Sequence, residues 1–344
     1  MSRGPGHRTR VGLELTCLEL NKSGTARAVR ELRRALEELG TVDIEPLADM
    51  RVIDVLHCPS HLMPARSDRQ LIVTLNDVRA WRQPESLSRG NALQHELVVR
   101  RALRKAAAVL TPSEFSRNEI IDVMELDPAR VVVTPYGVSD QFSPGHRPID
   151  LLARLGISGQ YVMAVGTTPH KNLAAAVAAF EHVVALGAPH RLVIVGPPDD
   201  DPNLPAMLAS SSAASRVDLL GYVDDETLAD LYRGSDCLLH PSRYEGFGFP
   251  PLEAMASGVP VIAASGTATE EVVGNAGVLL DPNYFTGWGE ALAQVLDSFG
   301  TRLEYAGRGL ARAREFSWKR CAELTATVYE QVAEQGAPAM PKAA

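Results

Sequence analysis

Short apolar runs alternate with longer amphipathic stretches along the chain. In the first half, the runs that predict β-strands cover residues 11–15, 52–57, 71–75, 108–111 and 131–134. Between them, residues 26–39 and 93–107 carry apolar side chains at helical spacing, so each segment predicts a helix. This alternation is typical of a parallel α/β protein, in which helices connect successive parallel strands.

A second series of strands follows a change of composition at residues 142–150. This polar stretch contains SPGHRPID, and its Pro and Gly predict a linker between domains. Further strands are predicted at residues 161–165, 192–195, 217–220, 237–240, 259–263 and 277–280, with helices at 173–184 and 227–233. We therefore expect two sequential, doubly wound Rossmann-like domains, which bind ligands at the carboxyl ends of their strands and face a shared cleft.

Length and charge narrow the class of protein. A chain of 344 residues exceeds what a single core usually holds, which favours two domains. The net charge of −8 argues against nucleic acid as a partner. The four cysteines are far apart and form no CxxC pair, so they favour reduced thiols in a cytoplasmic protein. We find no apolar segment near the roughly 18 residues that a membrane span needs.

The segment HPSRYEGFGFPPLEAMASGVPVIA, residues 240–263, carries the candidate chemistry. Its glycines, Gly246 and Gly248, let the backbone approach a ligand closely. Pro250 and Pro251 stand where a helix would begin, and Gly258 stands where it would end. The loop therefore delivers backbone N–H groups and a helix N-terminus to a ligand, which suits an anion or a hydroxyl group.

Two carboxylates, Glu245 and Glu253, flank this loop with seven residues between them. A carboxylate accepts two hydrogen bonds at once and therefore suits a pair of hydroxyls. A nucleotide sugar has two such pairs, one on the transferred sugar and one on the ribose. The alternative is that Glu253 is a solvated helix residue and Glu245 an ordinary loop residue.

This E-x7-E arrangement resembles the signature of retaining glycosyltransferase family 4, whose fold is GT-B. Four further pieces support the resemblance in order and spacing: PYGVSDQF (135–142), GTTPHKNL (166–173), LVIVGPP (192–198) and GYVDDETLADLYRGSD (221–236). The resemblance implies an N-terminal acceptor-binding domain at residues 1–145 and a nucleotide-sugar-binding domain at 146–316. It also implies a helix at 317–335 that crosses back to the first domain, and we expect a disordered tail at 336–344.

The resemblance assigns roles to residues of the second domain. Lys171 would bind the donor diphosphate and stabilise the leaving group. Glu245 would hold hydroxyls of the transferred sugar, and Glu253 would hold the ribose. The remaining residues that the resemblance implies at the donor are Gly166, Thr167, Gly221, Tyr222, Val223, Gly246, Phe247, Gly248 and Phe249. For Lys171, a surface lysine is the alternative.

Two positions depart from the family pattern. Thr167 stands where an arginine often follows the strand glycine, and we hypothesise that Arg243 or His170 partly compensates. Asn76 stands where many members place a histidine near the reacting sugar; it forms hydrogen bonds but cannot titrate. Asn76 is therefore a candidate catalytic residue, together with Lys171 and Glu245.

Other candidates lie in the first domain and beyond the glycine-rich loop. Gly24, in the loop Lys22-Ser23-Gly24-Thr25, is the candidate glycine at the diphosphate. His57 and His61 follow another strand and are candidates for the acceptor site, although a lone histidine is more often structural. Thr269 and Glu270 are predicted to lie on a loop after the strand at residues 259–263, and the sequence does not decide whether they contact the ligand.

The chemistry that the resemblance implies is transfer with retention of anomeric configuration, the acceptor hydroxyl attacking from the leaving-group face. We expect no metal, because no convincing D-x-D motif is present and Asp224-Asp225 suits a helix N-cap. The donor would be GDP- or UDP-linked, with GDP-mannose favoured. The acceptor would be the hydroxyl of a glycan, a lipid-linked sugar or a small molecule in polysaccharide biosynthesis.

Several alternatives remain open at this stage. A nucleotide-sugar epimerase of the same fold or a non-catalytic sugar-nucleotide-binding subunit would share the donor site. A dehydrogenase would need G-x-G-x-x-G directly after a strand, which is not found here. The basic segment Arg100–Lys105 allows peripheral membrane contact at the inner face of the membrane, and a solvated helix face is the alternative.

Overall fold

The computed structural model describes residues 8–16, 18, 24–45, 51–59, 69–83 and 89–335, with only the backbone of residues 89–96 and 335. The chain forms two compact units. The first contains residues 1–137 and 316–344, and the second contains residues 138–315. Within the described parts, no helix is both long and apolar enough to cross a membrane.

The first unit is built on a six-stranded parallel sheet in the order β2-β1-β3-β4-β5-β6. Its strands are β1 (Thr9–Leu13), β2 (Val42–Glu45), β3 (Val55–Cys58), β4 (Gln70–Thr74), β5 (Ala108–Thr111) and β6 (Val131–Val133). Its helices are α1 (Gly24–Leu39), α2 (Arg79–Arg82), α3 (Arg89–Lys105), α4 (Glu114–Met124) and, at the end of the chain, the last helix (Trp318–Gln335). The central strands are apolar at almost every position because helices cover both faces of the sheet.

The last helix belongs to the first unit, where it packs on α1 and on four strands of the sheet. Gly137 lies against the start of this helix. A Cβ at Gly137 would stand 2.1 Å from the backbone nitrogen of Trp318 and 2.5 Å from the carbonyl carbon of Ser317. Only glycine allows the two backbones to come this close.

The second unit repeats the architecture with the strand order β12-β11-β10-β7-β8-β9, again all parallel. Its strands are β7 (Tyr161–Val165), β8 (Arg191–Val195), β9 (Val217–Leu219), β10 (Cys237–His240), β11 (Val261–Ala264) and β12 (Val278–Leu280). Its helices are α5 (Ile149–Arg154), α6 (Leu173–Ala185), α7 (Leu204–Ser210), α8 (Asp225–Gly234), α9 (Phe249–Ala256), α10 (Ala268–Val273), α11 (Phe285–Asp297) and α12 (Phe299–Ala313); the last helix of the chain is therefore α13. Trp288 and Phe180 are fully buried between α6, α11 and the sheet.

The division between the units falls after residue 137 rather than after the predicted residue 145. Arg233 of α8 explains the difference, because its guanidinium donates to the carbonyl oxygens of Gln141 (2.5 Å) and Ser143 (2.9 Å). Phe142 also packs edge-on against Tyr232, with ring centroids 5.9 Å apart. The polar stretch that predicts a linker is therefore fixed to the second unit.

Most predicted strands are present within one or two residues of their predicted bounds, and β5, β7 and β10 agree at both ends. Strand β3 begins at Val55, three residues later than predicted, and β11 begins at Val261, two residues later. Strand β2 was not predicted, and neither were helices α2, α4, α5, α7, α10, α11 and α12; Thr269 and Glu270 therefore lie on helix α10 rather than on the predicted loop. The predicted tail at residues 336–344 lies outside the described residues.

Candidate active site

The candidate residues of the second unit lie at the carboxyl edge of its sheet, where all six parallel strands end. Gly166 and Thr167 follow β7, Gly221 follows β9, and the glycine-rich loop follows β10. In open α/β sheets this edge binds ligands, because loops and helix N-termini converge there. The topology therefore brings motifs that are far apart in sequence to one edge.

Lys171 is positioned by a tight turn after β7. Residues Pro169–Lys171 form one turn of 3-10 helix, and Asn172 then adopts the left-handed conformation (φ 56°) from which α6 begins. Asn tolerates this conformation better than most residues. The Asn172 amide also donates to the carbonyl oxygens of Pro241 (3.1 Å) and Pro282 (2.9 Å), which joins the turn to the loops after β10 and β12. Asn172 was not among the predicted site residues, although its place in HKN was a signal.

Lys171, Glu245 and His240 form a buried cluster at the end of β10. The Lys171 ammonium donates to Glu245 Oε1 at 2.6 Å, with side-chain exposures of 16% and 12%. His240 Nε2 lies 3.1 Å from the same oxygen, and His240 is 2% exposed. His240 was not among the predicted site residues; the signal that could have found it was a histidine at the end of an apolar strand, next to the glycine-rich motif.

The protonation of this cluster follows from burial and charge. Burial by itself raises the pKa of Glu245, but the Lys171 ammonium and the His240 contact outweigh it and hold this pKa well below its usual value. Burial lowers the pKa of His240, and the nearby Glu245 carboxylate opposes the shift only in part. At neutral pH Glu245 is therefore a carboxylate and His240 a neutral imidazole.

The glycine-rich loop leads directly into α9, as the two prolines predict. Gly248 has φ 120°, a conformation that favours glycine, and Pro250 and Pro251 occupy the first turn of α9. A Cβ at Gly248 would meet the Thr269 hydroxyl oxygen at 3.3 Å. Phe247 and Phe249 pack edge to face with centroids 5.3 Å apart, which fixes the loop on both sides of the glycine.

Glu253 is a buried carboxylate of α9, so its interpretation as a solvated helix residue is wrong. It is 2% exposed, and the Tyr232 hydroxyl donates to its Oε2 at 3.2 Å. Burying a carboxylate is costly unless polar groups face it. Glu245 and Glu253 thus enclose the glycine-rich loop as two buried acceptors.

Gly166 and Thr167 shape the surroundings of Lys171. Gly166 has φ 93°, and a Cβ there would stand 2.7 Å from Lys171 Cε, so glycine leaves room for the lysine side chain. Thr167 is 1% exposed, and its hydroxyl donates to the Pro197 carbonyl oxygen at 2.5 Å. Thr167 thus places a buried hydroxyl at the position where the family often has an arginine.

The two residues proposed to compensate for Thr167 lie beside the Lys171 turn. The Arg243 backbone N–H donates to the His170 carbonyl oxygen at 2.8 Å, and the Ser242 hydroxyl reaches the same oxygen at 3.2 Å. Arg243 is exposed. These bonds join the loop after β10 to the loop after β7 and leave the Arg243 side chain at the surface.

The segment that would contact the base follows β9. Gly221 accepts a hydrogen bond from the Gly196 N–H at 2.9 Å, which connects the ends of β8 and β9. Tyr222 is 56% exposed, and Val223 is partly buried. Asp224 caps α8 by accepting from the Thr227 N–H at 2.8 Å, as predicted.

Asn76 in the first unit is held at both ends of its amide. Its Nδ2 donates to the Thr25 hydroxyl at 3.2 Å, and its Oδ1 accepts from the Tyr136 hydroxyl at 2.6 Å. It therefore connects the first turn of α1 to the segment after β6. Gly24 is the first residue of α1, and residues 21–23 lie outside the described residues.

His57 is a structural histidine. It is fully buried, its Nδ1 lies 2.6 Å from the Tyr329 hydroxyl, and its Nε2 lies 2.8 Å from the Thr74 hydroxyl. Burial lowers its pKa to about 3, so the ring stays neutral at physiological pH. His61 lies outside the described residues.

No group of three or more His, Cys, Asp or Glu residues within the described ranges is arranged to hold a metal ion. The cysteines that the structure describes, Cys58, Cys237 and Cys321, are buried free thiols. Burial raises the pKa of the Cys58 thiol to about 12, which makes it a poor nucleophile.

Two parallel six-stranded sheets flanked by helices define the GT-B class of glycosyltransferase folds. HepE of Anabaena, solved in complex with UDP-glucose, has the same fold with a TM-score of 0.73, 17% identity, and coverage of 94% of this chain and 100% of that chain. The family model "Glycosyl transferases group 1" matches residues 159–298, and "Glycosyl transferase 4-like domain" matches residues 2–137.

The sequence relatives agree with these matches. O-antigen chain mannosyltransferase B of Escherichia coli is 31% identical over 282 residues, which cover 80% of this chain and 74% of that protein. D-inositol 3-phosphate glycosyltransferase of Actinosynnema mirum is 28% identical over 242 residues, covering 66% of this chain and 58% of that protein, less than two thirds of its length. The chain belongs to the group 1 glycosyltransferases of family 4, and it is a glycosyltransferase.

Proposed function

We propose that this glycosyltransferase transfers mannose from GDP-mannose to a hydroxyl of a glycan, lipid-linked or small-molecule acceptor, with retention and without a metal ion. The observation that carries the proposal is the buried Lys171–Glu245–His240 cluster beside buried Glu253 at the carboxyl edge of the second sheet. The preference for mannose is supported by the similarity to O-antigen chain mannosyltransferase B.

In this proposal Lys171 binds the donor diphosphate. Its ammonium is fixed by Glu245 in a largely buried position, so its charge acts at low dielectric on the leaving group as the glycosidic bond breaks. The exposed Arg243 next to this turn adds positive charge at the rim, which supports its role in place of the arginine that Thr167 replaces.

Glu245 binds hydroxyls of the transferred sugar, together with the backbone N–H groups of the glycine-rich loop. The low pKa of Glu245 keeps it ionised, and an ionised carboxylate accepts strong hydrogen bonds from hydroxyl groups. An ionised Glu245 can accept hydrogen bonds from hydroxyl groups, but it has no proton to donate. We therefore give Glu245 no part as a general acid.

Glu253 binds the ribose hydroxyls, supported by its burial and by the hydrogen bond that orients it from Tyr232. Because the side chain is already ordered and desolvated, little further entropy is lost when ligand hydroxyls reach it. Gly221, Tyr222 and Val223 provide backbone groups for the base.

Retention follows in this proposal from attack by the acceptor hydroxyl on the leaving-group face, which needs no protein nucleophile. Asn76 is proposed to act through its hydrogen bonds, since both ends of its amide are held by Thr25 and Tyr136. Metal independence is supported by the position of Lys171, which supplies positive charge where a divalent ion would otherwise stand.

Peripheral contact with the inner face of the membrane is part of the proposal, and helix α3 supports it. Leu97 and Val98 are 63% and 44% exposed, and Arg101, Arg104 and Lys105 on the same helix are exposed cations. Exposed apolar residues beside basic ones favour an anionic lipid surface.

The second candidate is a UDP-sugar donor with a phosphorylated cyclitol acceptor. It is supported by the similarity to D-inositol 3-phosphate glycosyltransferase and by the crystal structure of HepE with UDP-glucose. Both candidates use the same donor residues and differ in the base and the sugar.

The test is a transfer assay with GDP-mannose and UDP-glucose, each with and without EDTA, with calorimetric titration of GDP and UDP. We expect turnover of GDP-mannose, unchanged by EDTA, and tighter binding of GDP than of UDP. Glu253→Gln should weaken nucleotide binding about tenfold or more, and Glu226→Gln, an exposed residue of α8, should leave it unchanged. Turnover of UDP-glucose alone would replace the first candidate with the second, and an inverted product anomer by NMR would refute retention.

A further inference from the structure

The second unit has a cavity at the amino edge of its sheet, opposite to the edge that carries Lys171. The cavity measures 530 Å³ and lies between the ends of α6 and α11 and the loop before β8. Its walls are mostly apolar, formed by Val183, Leu186, Ala188, Ala293 and Leu296. A cavity of this size and lining holds a small molecule with an apolar body.

The cavity results from how the two helices pack. A Cβ at Gly289 would stand 2.7 Å from His182 Cβ, so α6 and α11 approach each other closely at that point. Beyond it, the small side chains of Ala188 and Ala293 do not fill the space between the helix ends. The cavity is therefore bounded by regular elements of the fold rather than by a mobile loop.

A buried histidine supplies the polar wall. His190 lines the cavity and is 5% exposed, and neither of its ring nitrogens has a hydrogen-bond partner in the described residues. Asp236, just before β10, lies behind it, with Oδ2 3.6 Å from His190 Nε2. That distance is too long for a hydrogen bond, and Oδ2 also has no partner within the described part of the chain.

Such buried acceptors are costly to leave without a donor. Burial lowers the pKa of His190, so the imidazole is neutral and one of its nitrogens accepts a hydrogen bond. The Asp236 carboxylate behind the ring strengthens the preference for a donor that carries positive charge.

The charges around the cavity point the same way. Asp297 lines it at the surface, and the C-terminal ends of α6 and α11, which carry partial negative charge, both reach it. Two arginines lie nearby, and both donate to backbone carbonyl oxygens: Arg302 to those of Val295 and Leu296, and Arg216 to that of Ala188 at 2.7 Å. Asp297 thus lines the cavity directly and Asp236 lies behind His190, while both nearby arginines are already hydrogen-bonded to backbone carbonyl oxygens.

We propose that this cavity is a binding site for a small organic ammonium, a primary amine with an apolar body. The ammonium donates to His190 and is stabilised by Asp236, and the apolar body fills the space between Ala188 and Ala293. This site is separate from the donor site and is independent of which sugar the enzyme transfers.

The test uses benzylammonium as the probe, with benzyl alcohol and benzoate as the neutral and anionic matches. Ligand-observed NMR on the full chain at pH 7 measures the dissociation constant of each. We expect benzylammonium to bind at least about tenfold more tightly than benzyl alcohol, the ratio that a charge-assisted hydrogen bond supplies. Benzoate should not bind.

Two variants and one control locate the site. Asp236→Asn should weaken benzylammonium binding about tenfold, and Ala293→Leu, which fills the cavity from a helix, should abolish it. Glu226→Gln should bind like the wild type. Failure of the wild-type chain to bind benzylammonium, equal binding of benzyl alcohol, or undiminished binding by Ala293→Leu would each overturn the proposal. If Asp236→Asn does not fold, the Ala293→Leu result decides.

Discussion

Replacing Lys171 with Met removes the cation from a buried ion pair while it keeps most of the side-chain volume. The Glu245 carboxylate then stays 12% exposed with His240 as its remaining contact in the cluster. Breaking a buried pair by removing one partner costs about 3–5 kcal/mol, because the other charge stays buried without compensation. We expect a loss of this size at pH 8.

The loss should depend on pH, and its sign follows from the pKa of Glu245. In the wild type this pKa is held well below its ordinary value of 4.5, so the ion pair contributes stability above pH 4.5 and loses it only in stronger acid. In the variant, burial instead raises the pKa, and the folded protein relieves the charge by binding a proton. Protonating this carboxyl above its ordinary pKa of 4.5 lowers the stability by about 1.4 kcal/mol per pH unit, which is about 4.8 kcal/mol at pH 8 and about 1.4 kcal/mol at pH 5.5.

The assay is urea unfolding of the second unit at pH 8 and pH 5.5. Trp81→Phe and Trp318→Phe leave Trp288, fully buried in the second unit, as the only tryptophan. We expect the stability gap between wild type and Lys171→Met to shrink from about 4.8 kcal/mol at pH 8 to about 1.4 kcal/mol at pH 5.5, a change of about 3.4 kcal/mol. Adding Glu245→Gln to Lys171→Met should restore most of the loss, and Lys319→Met, an exposed lysine, should change little. A gap below about 1 kcal/mol at pH 8, or an equal gap at both pH values, would refute the buried-pair reasoning.

Three further changes test other contacts. Tyr232→Phe removes the hydroxyl that donates a hydrogen bond to Glu253, so we expect a loss of about 1 kcal/mol of stability in urea titration and weaker GDP binding in calorimetry. An unchanged GDP affinity would show that Tyr232 does not orient Glu253 for the ribose. Thr167→Arg should lower the stability by about 3 kcal/mol, because the position is 1% exposed; an unchanged melting temperature with tighter GDP binding would contradict this. The pKa of His57 is about 3 in the folded protein against 6.5 for an unperturbed histidine, so the wild type should lose up to about 1.4 kcal/mol of stability per pH unit as the pH falls from 6.5 to 3. His57→Gln should flatten this dependence of stability on pH. Equal slopes for the two proteins would show that folded His57 takes up a proton.

The alternation of apolar runs and amphipathic helices was enough to predict two parallel α/β units, and the GT-B expectation is confirmed. Strand β2 was missed because it is short and lies at the edge of the sheet, where only Val42 of its four residues is fully buried. Such a strand has no continuous apolar run. The boundary between the units was misplaced because the prediction used composition, whereas the contacts of Arg233 decide where residues 138–147 belong.

The candidate site, like the fold, was predicted only in part from the sequence. The resemblance to family 4 implied that Lys171, Glu245 and Glu253 bind the donor, and the fold places all three at one edge of the second sheet. The resemblance could not predict that His240 contacts Glu245, or that Asn76 is held by Thr25 and Tyr136. The Asn76 partners are 51 and 60 residues away, and no local pattern records which loops meet at the end of a sheet.

The Lys171–Glu245 pair is compatible with both residues binding the donor at once. A lysine ammonium has three N–H donors and a carboxylate about four lone-pair positions, so one mutual hydrogen bond leaves most of both free for a ligand. Because each group fixes the other, neither needs to be ordered or desolvated when the donor arrives. In the proposed function, the pair would therefore offer a fixed positive group to the diphosphate and a fixed negative group to the sugar hydroxyls. On this argument Glu245→Gln should weaken donor binding and slow transfer, because it loosens Lys171 as well as removing its own carboxylate.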